Sequence, residues 1–254
     1  MINGAGKIAA MIKRSKNTVV VTGAGISTEA GIPDFRGVNG IYRKLGENRV
    51  MNIINIDFFR KSPDIFYDFY REHFMFPPVD PSHAHFILAD MEKKGLIKAI
   101  VSQNIDNLHQ KAGSRKVIAI HGNADRFLCT ASDCQAVYDG PYVTNFPHVV
   151  PICAKCGTML KPDVVLFGEQ IKGYMDAQET ILGARLLVVI GSSLTVYPLA
   201  GFVKEFSTFT QELIIINKGH TQMDHAATIK IDTGHTGDLL EEIMQLLKQV
   251  NTSQ

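Results

Sequence analysis

Apolar and polar positions follow two rhythms along this chain. Short runs rich in β-branched residues occur at Thr18–Val21, Ala99–Val101, Val117–Ile120, Leu187–Ile190, Leu213–Ile216 and Thr228–Ile231. Runs of this length and composition predict strands buried in a sheet. Between them, apolar residues recur three and four apart across Met1 to Lys16, Asp64 to Phe74, Ala84 to Lys94 and Thr236 to Gln249. That spacing predicts helices with one buried face. Strands alternating with helices predict an α/β fold on a doubly wound parallel sheet. Two segments break the alternation: residues 38–84, helical and aromatic-rich, and residues 126–160, which hold the cysteines.

Candidate chemistry sits where the predicted strands end. The first strand runs into Gly23-Ala24-Gly25-Ile26-Ser27-Thr28. A strand entering Gly-x-Gly can bring backbone amides against a pyrophosphate, and the glycines remove Cβ atoms that would block the approach. Two features depart from an ordinary dinucleotide fingerprint. Thr28 stands at the third glycine, and Ile41-Tyr42-Arg43-Lys44 fills the region of the usual ribose-binding acid. A glycine turn without a ligand is the alternative for this segment taken alone. The following loop, Ile32-Pro33-Asp34-Phe35-Arg36-Gly37, gathers a ring, a carboxylate and a guanidinium. Phe35 could cover a planar group, and Arg36 could meet phosphate or carboxylate bidentately. The alternative is a solvated turn with one buried Phe.

Ser102-Gln103-Asn104-Ile105-Asp106-Asn107 follows the second run, where open α/β sheets bind ligands. The Asp106 carboxylate suits a carboxamide NH₂; equally, Asn104 or Asp106 could cap the next helix. His121-Gly122 follows the third run, and its imidazole suits general-base work. The other eight histidines have no comparable setting and are expected to be surface or structural residues. The four cysteines fall in two pairs, Cys129/Cys134 and Cys153/Cys156, with four and two residues between partners. Such spacings suit tetrahedral ligation of one structural Zn²⁺. Disulfides are the competing possibility, disfavoured in the reducing compartment where a nucleotide enzyme normally works.

Taken in order, Gly-Ala-Gly-Ile-Ser with Gly-Ile-Pro-Asp-Phe-Arg, Gln-Asn-Ile-Asp, His-Gly, the cysteine pairs, Lys161-Pro-Asp-Val-Val-Leu-Phe-Gly-Glu169 and Gly191-Ser-Ser-Leu194 resemble the sirtuin family. The wider gap between Cys129 and Cys134 departs from the family's usual two. The resemblance implies an NAD⁺-dependent protein lysine deacylase. Its Rossmann-like NAD-binding domain would span residues 1–37, 85–125 and 161–254. A smaller inserted domain would comprise a helical module, 38–84, and a zinc-ribbon-like module, 126–160, with the substrate cleft between the domains. The implied reaction has two steps: the acyl oxygen of a modified lysine displaces nicotinamide from the ribose, and the ribose 2′-hydroxyl then attacks the resulting imidate. Free lysine and O-acyl-ADP-ribose result.

On this resemblance His121 is the general base and Asn104 holds the ribose and a water. Asp106 and the Ile105 backbone grip the nicotinamide carboxamide, and Phe35 shields the sugar. Gly23, Ala24, Gly25, Ser27, Asp34, Arg36 and Gln103 belong to the same cofactor site. Gly191, Ser192, Ser193 and Asn217 hold the adenosine half. Val165, Leu166 and Phe167 are apolar walls for the acyl-lysine, whose peptide would lie as an extended strand between Gly168-Glu169 and Val196-Tyr197. Relatives that prefer acidic acyl groups share a Tyr-x-x-Arg pair; here Tyr67-Asp-Phe-Tyr70-Arg71 puts tyrosine at the arginine's place. Acetyl is therefore expected over succinyl. Long-chain acyl groups, plain NAD⁺ hydrolysis and mono-ADP-ribosyl transfer stay as alternatives.

Composition narrows the classes further. The chain has 254 residues, 45% hydrophobic, enough for one large domain with an insert. A net charge of +1 without basic runs argues against direct nucleic-acid binding. No run approaches the length of a membrane helix, and the N-terminus lacks a secretory pattern. A cytoplasmic location is expected.

Overall fold

The computed structural model describes residues 4–37, 40–75, 78–209 and 211–251. Among the described residues there are nine strands: β1 Thr18–Thr22, β2 Ala99–Ser102, β3 Val117–Ala119, β4 Gly122–Cys129, β5 Val137–Asp139, β6 Leu160–Val164, β7 Leu186–Ile190, β8 Glu212–Ile216 and β9 Ile229–Ile231. Six form a parallel sheet in the order β3-β2-β1-β7-β8-β9. Its central strands are buried throughout, which is why their sequences run apolar without alternation. Val20, Ile100, Val188 and Ile214 face helices Gly4–Arg14, His83–Lys93 and Thr236–Asn251. Val19, Val21, Leu187 and Ile215 face helices Tyr174–Leu182 and Leu199–Phe206. Each such side chain stabilises the fold by roughly 1.5–3 kcal/mol through burial. The doubly wound sheet expected from the sequence is therefore present. The first helix runs Gly4–Arg14; the start expected for it, residues 1–3, lies outside the described residues.

The chain turns outward from β1 in two directions, β2 and β3 on one side and β7 to β9 on the other. The reversal falls between β1 and β7, which is the place where parallel sheets open a crevice at their carboxyl edge.

A separate antiparallel sheet, β5-β4-β6, stands apart from the large one. It shares an aromatic core with four short helices, Ile41–Leu45, Glu47–Ile53, Ile56–Lys61 and Pro63–His73. Phe59, Phe66, Tyr67, Tyr70 and Phe127 are fully buried there. Phe66 and Tyr70 stack with centroids 5.6 Å apart, while Phe59 meets Phe66 edge-on at 4.9 Å. Such pairs add about 0.5–1.5 kcal/mol beyond area burial. The sequence pattern announced only the last of these helices. The others are too short for a periodicity to show.

β6 ends at Val164. Residues 165–167 continue extended, but as a single strap: Val165 N donates to His121 O (2.9 Å), and Phe167 exchanges bonds with Ile54 and Ile56. Gly168 takes φ +91° and the chain turns. Neither 168–169 nor 196–197 is a strand by itself.

Candidate active site

The exits of β1 and β7 touch at the crevice. Gly23 N donates to Ile190 O (3.0 Å) and Gly25 N to Gly191 O (2.9 Å). A Cβ on Gly25 would meet Gly191 Cα at 2.7 Å, and Gly191 itself has φ +63°. These glycines thus let two strand exits pack backbone to backbone, and two of their amides are committed to that contact. After Gly23 the chain winds as a short 3₁₀ helix, Ala24–Ala30, which buries Ser27.

Ser27 is a junction. Its hydroxyl donates to Asp106 Oδ2 (2.6 Å) and accepts from Asn104 Nδ2 (3.1 Å). Asp106 Oδ1 accepts from Leu108 N (3.0 Å), so it also caps the following helical turn, Leu108–Lys111. Both expected functions of this carboxylate, pocket wall and cap, are geometrically compatible. Ile105 O accepts from Ala124 N (2.9 Å), tying the loop to β4. Gln103 Oε1 accepts from the buried Ser192 hydroxyl (2.7 Å), so the loops after β2 and β7 meet in front of β1.

His121 lies on the two-residue turn between β3 of the large sheet and β4 of the small one. Only glycine can follow it: Gly122 has φ +87°, and a Cβ there would sit 1.9 Å from Asp163 O. The ring's Nδ1 is 2.8 Å from Gln103 O. A carbonyl only accepts, so Nδ1 carries the proton and the neutral ring keeps its lone pair on Nε2. Burial lowers the pKa of this imidazole, partly opposed by the Gln103 carbonyl, which favours the charged form. The result is a neutral imidazole fixed in orientation, with its Nε2 lone pair able to accept a proton.

The Asp34–Arg36 loop folds on itself. Asp34 Oδ1 accepts from Gly37 N (2.9 Å). Phe35 is half-buried between Tyr42 and Phe74 at centroid distances of 5.4 and 6.1 Å. Arg36 pairs with Glu47 and lies 4.8 Å over the Tyr42 ring. Further along the edge, Ser193 bonds Thr195 (3.0 Å), and Asn217 Nδ2 donates to the carbonyls of Lys218 and Gly219. Val165 and Phe167 are part-exposed, whereas Leu166 is buried in the aromatic core. Glu169 accepts from Leu166 N and pairs with Lys161 at 2.9 Å. Tyr197 is 64% exposed, its ring lying over Gly201 at the start of helix Leu199–Phe206.

The four cysteine sulfurs lie within 4.8 Å of one another. Cys129 and Cys156 are 3.3 Å apart, and Cys134 and Cys153 3.7 Å, well beyond the roughly 2.05 Å of a disulfide. Four convergent thiols fit one tetrahedral Zn²⁺, with no position left open for a reacting water. The sequence did not reveal Tyr138, whose hydroxyl accepts from Ala154 N (2.8 Å) and donates to Cys153 Sγ (3.2 Å). That hydrogen bond is the largest of several, with the backbone amides of Lys155 and Cys156, that lower the Cys153 pKa to about 6 against the opposing effect of burial. Nor did it single out His85 and His109, which are wholly buried behind the Ser27 junction.

A two-lobed α/β architecture with this strand-edge polar cluster and a cysteine module defines a class of nucleotide-dependent enzymes. The sequence profile of the Sir2 family matches residues 23–198. An NAD-dependent protein deacetylase of Thermotoga maritima is 42% identical over 226 residues, 87% of this chain and 89% of that one. The NAD-dependent protein deacylase 2 of Archaeoglobus fulgidus is 38% identical over 97% of both chains. A solved Sir2–p53 peptide–NAD⁺ complex superposes with a TM-score of 0.84 at 36% identity, covering 98% of this chain and all of the other. This chain belongs to the Sir2 family.

Proposed function

We propose that this protein is an NAD⁺-dependent protein lysine deacetylase that transfers the acetyl group of acetyl-lysine to ADP-ribose and releases nicotinamide. The observation that carries the assignment is His121 held by Gln103 O beside the Asn104–Ser27–Asp106 junction. Family membership supports the chemistry, and relatives are described with acetylated peptide and with NAD⁺. Bound NAD⁺ supplies a ribose whose nicotinamide can leave. His121 Nε2 takes the proton from a ribose hydroxyl. Asn104 and Ser27 orient the sugar, Asp106 and the Ile105 backbone receive the carboxamide, and Phe35 covers the reactive face. Gly23, Ala24, Gly25, Asp34, Arg36 and Gln103 line the same half, and Gly191, Ser192, Ser193 and Asn217 the adenosine half. Water must be kept from the activated sugar, and the Val165–Phe167 strap with Phe35 supplies the apolar closure. The peptide enters as an extended strand between Gly168-Glu169 and Val196-Tyr197, completing pairs that neither segment makes alone.

The lobes divide near residues 1–37, 85–125 and 161–254 against 38–84 and 126–160, except that helix His83–Lys93 packs through Ala84 in the larger lobe's core, which moves that one boundary to just before residue 83. Acetyl is preferred because the Arg71 guanidinium on helix Pro63–His73 is already engaged by backbone carbonyls. Tyr67 donates to Leu160 O (2.7 Å), and Arg71 donates to Val143 O and His148 O. Both side chains are turned into the cysteine-bearing module. Among the described residues no helix is long and apolar enough to cross a membrane; free thiols in all four cysteines support a reducing, cytoplasmic setting. The low net charge supports a protein substrate without direct nucleic-acid contact.

The test is mass spectrometry of an acetyl-lysine peptide with and without NAD⁺. O-acetyl-ADP-ribose, formed only with both substrates, is expected. Nicotinamide release without the peptide would instead mark a hydrolase, and label retained on the acceptor an ADP-ribosyltransferase. His121→Ala should lower turnover by about 10²–10⁴-fold while peptide affinity is kept.

A further inference from the structure

His85 and His109 lie behind the Ser27 junction, both almost fully buried, with ring centroids 4.7 Å apart. His109 Nε2 is 2.9 Å from Thr22 Oγ1, and Thr22 donates its only hydroxyl proton to Ser102 Oγ (2.9 Å). The threonine oxygen must therefore accept, and His109 carries its proton on Nε2. Ser102 Oγ also accepts from Asn104 N (3.1 Å). On the other ring, Nδ1 is 2.7 Å from Ser82 Oγ, whose proton is directed to Ile26 O at 3.4 Å. Only Nδ1–H on His85 gives every proton in this group an acceptor. The remaining nitrogens, His109 Nδ1 and His85 Nε2, have no protein partner. Leaving two bare lone pairs costs less than burying an unpaired N–H or a charge.

These bonds close a circuit. It runs from His109 through Thr22, Ser102 and Asn104 to Ser27, on to Asp106, and through Leu108 N back to the helical turn that carries His109. His85 reaches the same junction from the other side, through Ser82 to the carbonyl of Ile26, the residue before Ser27.

We infer that His85 and His109 are positioning residues for the nicotinamide end of the site: a neutral pair of opposite tautomers that fixes the two segments carrying Ser27 and Asn104–Asp106. The inference rests on the role given above to Asp106 and Asn104. Both rings are buried and bond to Thr22 and Ser82, not to the residues assigned to the adenosine half, so their loss should weaken nicotinamide recognition and leave that half alone.

Two measurements test it. In wild-type protein at pH 7, imidazole ¹⁵N spectra should show His85 protonated on Nδ1 and His109 on Nε2, both neutral. A charged ring, or the same tautomer on both, overturns the inference whatever the enzyme's activity. In the second, His109→Phe and the near-isosteric Thr22→Val should each raise the KM for NAD⁺ and the nicotinamide inhibition constant about tenfold, the ratio expected for one lost buried hydrogen bond. ADP-ribose affinity, read by calorimetry, should stay within about twofold. His109→Gln, which keeps a donor at the Nε2 position, should recover most of the loss, and Ser82→Ala should reproduce the effect from the His85 side. If His109→Phe does not fold, Thr22→Val and Ser82→Ala decide alone. Unchanged nicotinamide inhibition in the folded variants, or an equal loss of ADP-ribose affinity, overturns the proposal. Wild-type turnover measured in parallel tests the deacetylase assignment separately.

Discussion

The two sheets of this protein are held together by different physics. In the large sheet, β1 and β7 are buried along their whole length and helices cover both faces. The small sheet has a three-residue edge strand, β5, with Val137 52% exposed, and a bulged β4 whose register with β6 shifts between Asn123 and Phe127. Its inner side packs against aromatic helices, while its outer end is gathered by four thiols. The large lobe can therefore carry a polar cluster at its strand ends, because its core does not depend on those loops. The small lobe has its aromatic core on the helical side, and at its outer end four thiols placed to hold one metal ion stand where apolar packing is thin.

Metal removal should break the comparison most widely. Structural Zn²⁺ contributes roughly 10–16 kcal/mol in small zinc-binding peptides, far more than a three-stranded sheet holds. Chelation, or Cys153→Ser, should abolish deacetylation and expose residues 126–160 to limited proteolysis. Amides of β1, β7 and β8 should stay protected from hydrogen exchange. Loss of protection in both sheets together would show that the lobes are one cooperative unit.

Acid should act in the opposite place. Burial lowers the pKa of His85 to about 4 and that of His109 to about 3, and nearby Asp106 opposes the shift at His85. Because the unfolded chain binds these protons near pH 6.5 and the native state does not, stability falls as pH drops from about 6.5 toward 4. Each ring contributes on the order of 3 kcal/mol over its window. His121 shifts in the same direction. Denaturant titrations at pH 7.5, 5.5 and 4.5 should show the loss in the large lobe, and His109→Gln should flatten it. A stability that stays level across that range would remove the buried neutral pair from the account.

How much of this was legible in the sequence follows the same division. The runs that became β1, β2, β7 and β8 were visible because a strand buried on both faces must be apolar throughout, while the part-buried edge strands β3 and β9 showed through their β-branched residues. β4, Gly122–Cys129, buries only Gly122 and Phe127 fully and carries Asn123, Asp125 and Arg126. One-sided burial with a bulge erases both the run and the alternation. Helix Leu199–Phe206 was hidden by Pro198 and Gly201 at its start. At the site, residue types at strand ends pointed to Asn104, Asp106 and His121, and the family resemblance added Ser27. Their partners did not, since Ser27 meets Asp106 across 79 positions and Ser192 meets Gln103 across 89. His85 was passed over because nothing local to the first turn of a helix tells a buried structural histidine from a surface one; its burial comes with the packing on His109.

A truncation in the large core gives a smaller, cleaner contrast. Leu187→Ala in β7 removes a fully buried side chain between two helices and should cost about 2–5 kcal/mol. Denaturant midpoints of the large lobe should fall while zinc content, read by metal analysis, stays at one ion per chain. A loss of zinc in step with this change would mean that the cysteine module leans on the large sheet.

The gentlest probe addresses how the small lobe holds its metal. Tyr138 sits between the two cysteine pairs in sequence and hydrogen-bonds only one sulfur, that of Cys153, the single fully buried cysteine. Its oxygen is oriented by Ala154 N from the same knuckle, so the donated proton points at the thiolate and delocalises its charge. Partners of this kind outside the ligand set typically change metal affinity by 10–100-fold. Tyr138→Phe keeps the ring and its stacking on Tyr142 at 4.3 Å, and removes only the hydroxyl. Competition with a chromophoric chelator should show Zn²⁺ lost about 10–100 times more readily, with turnover of the fully loaded enzyme unchanged. If zinc affinity is unaltered, the hydroxyl serves the Ala154 turn alone, and the four sulfurs hold the metal without it.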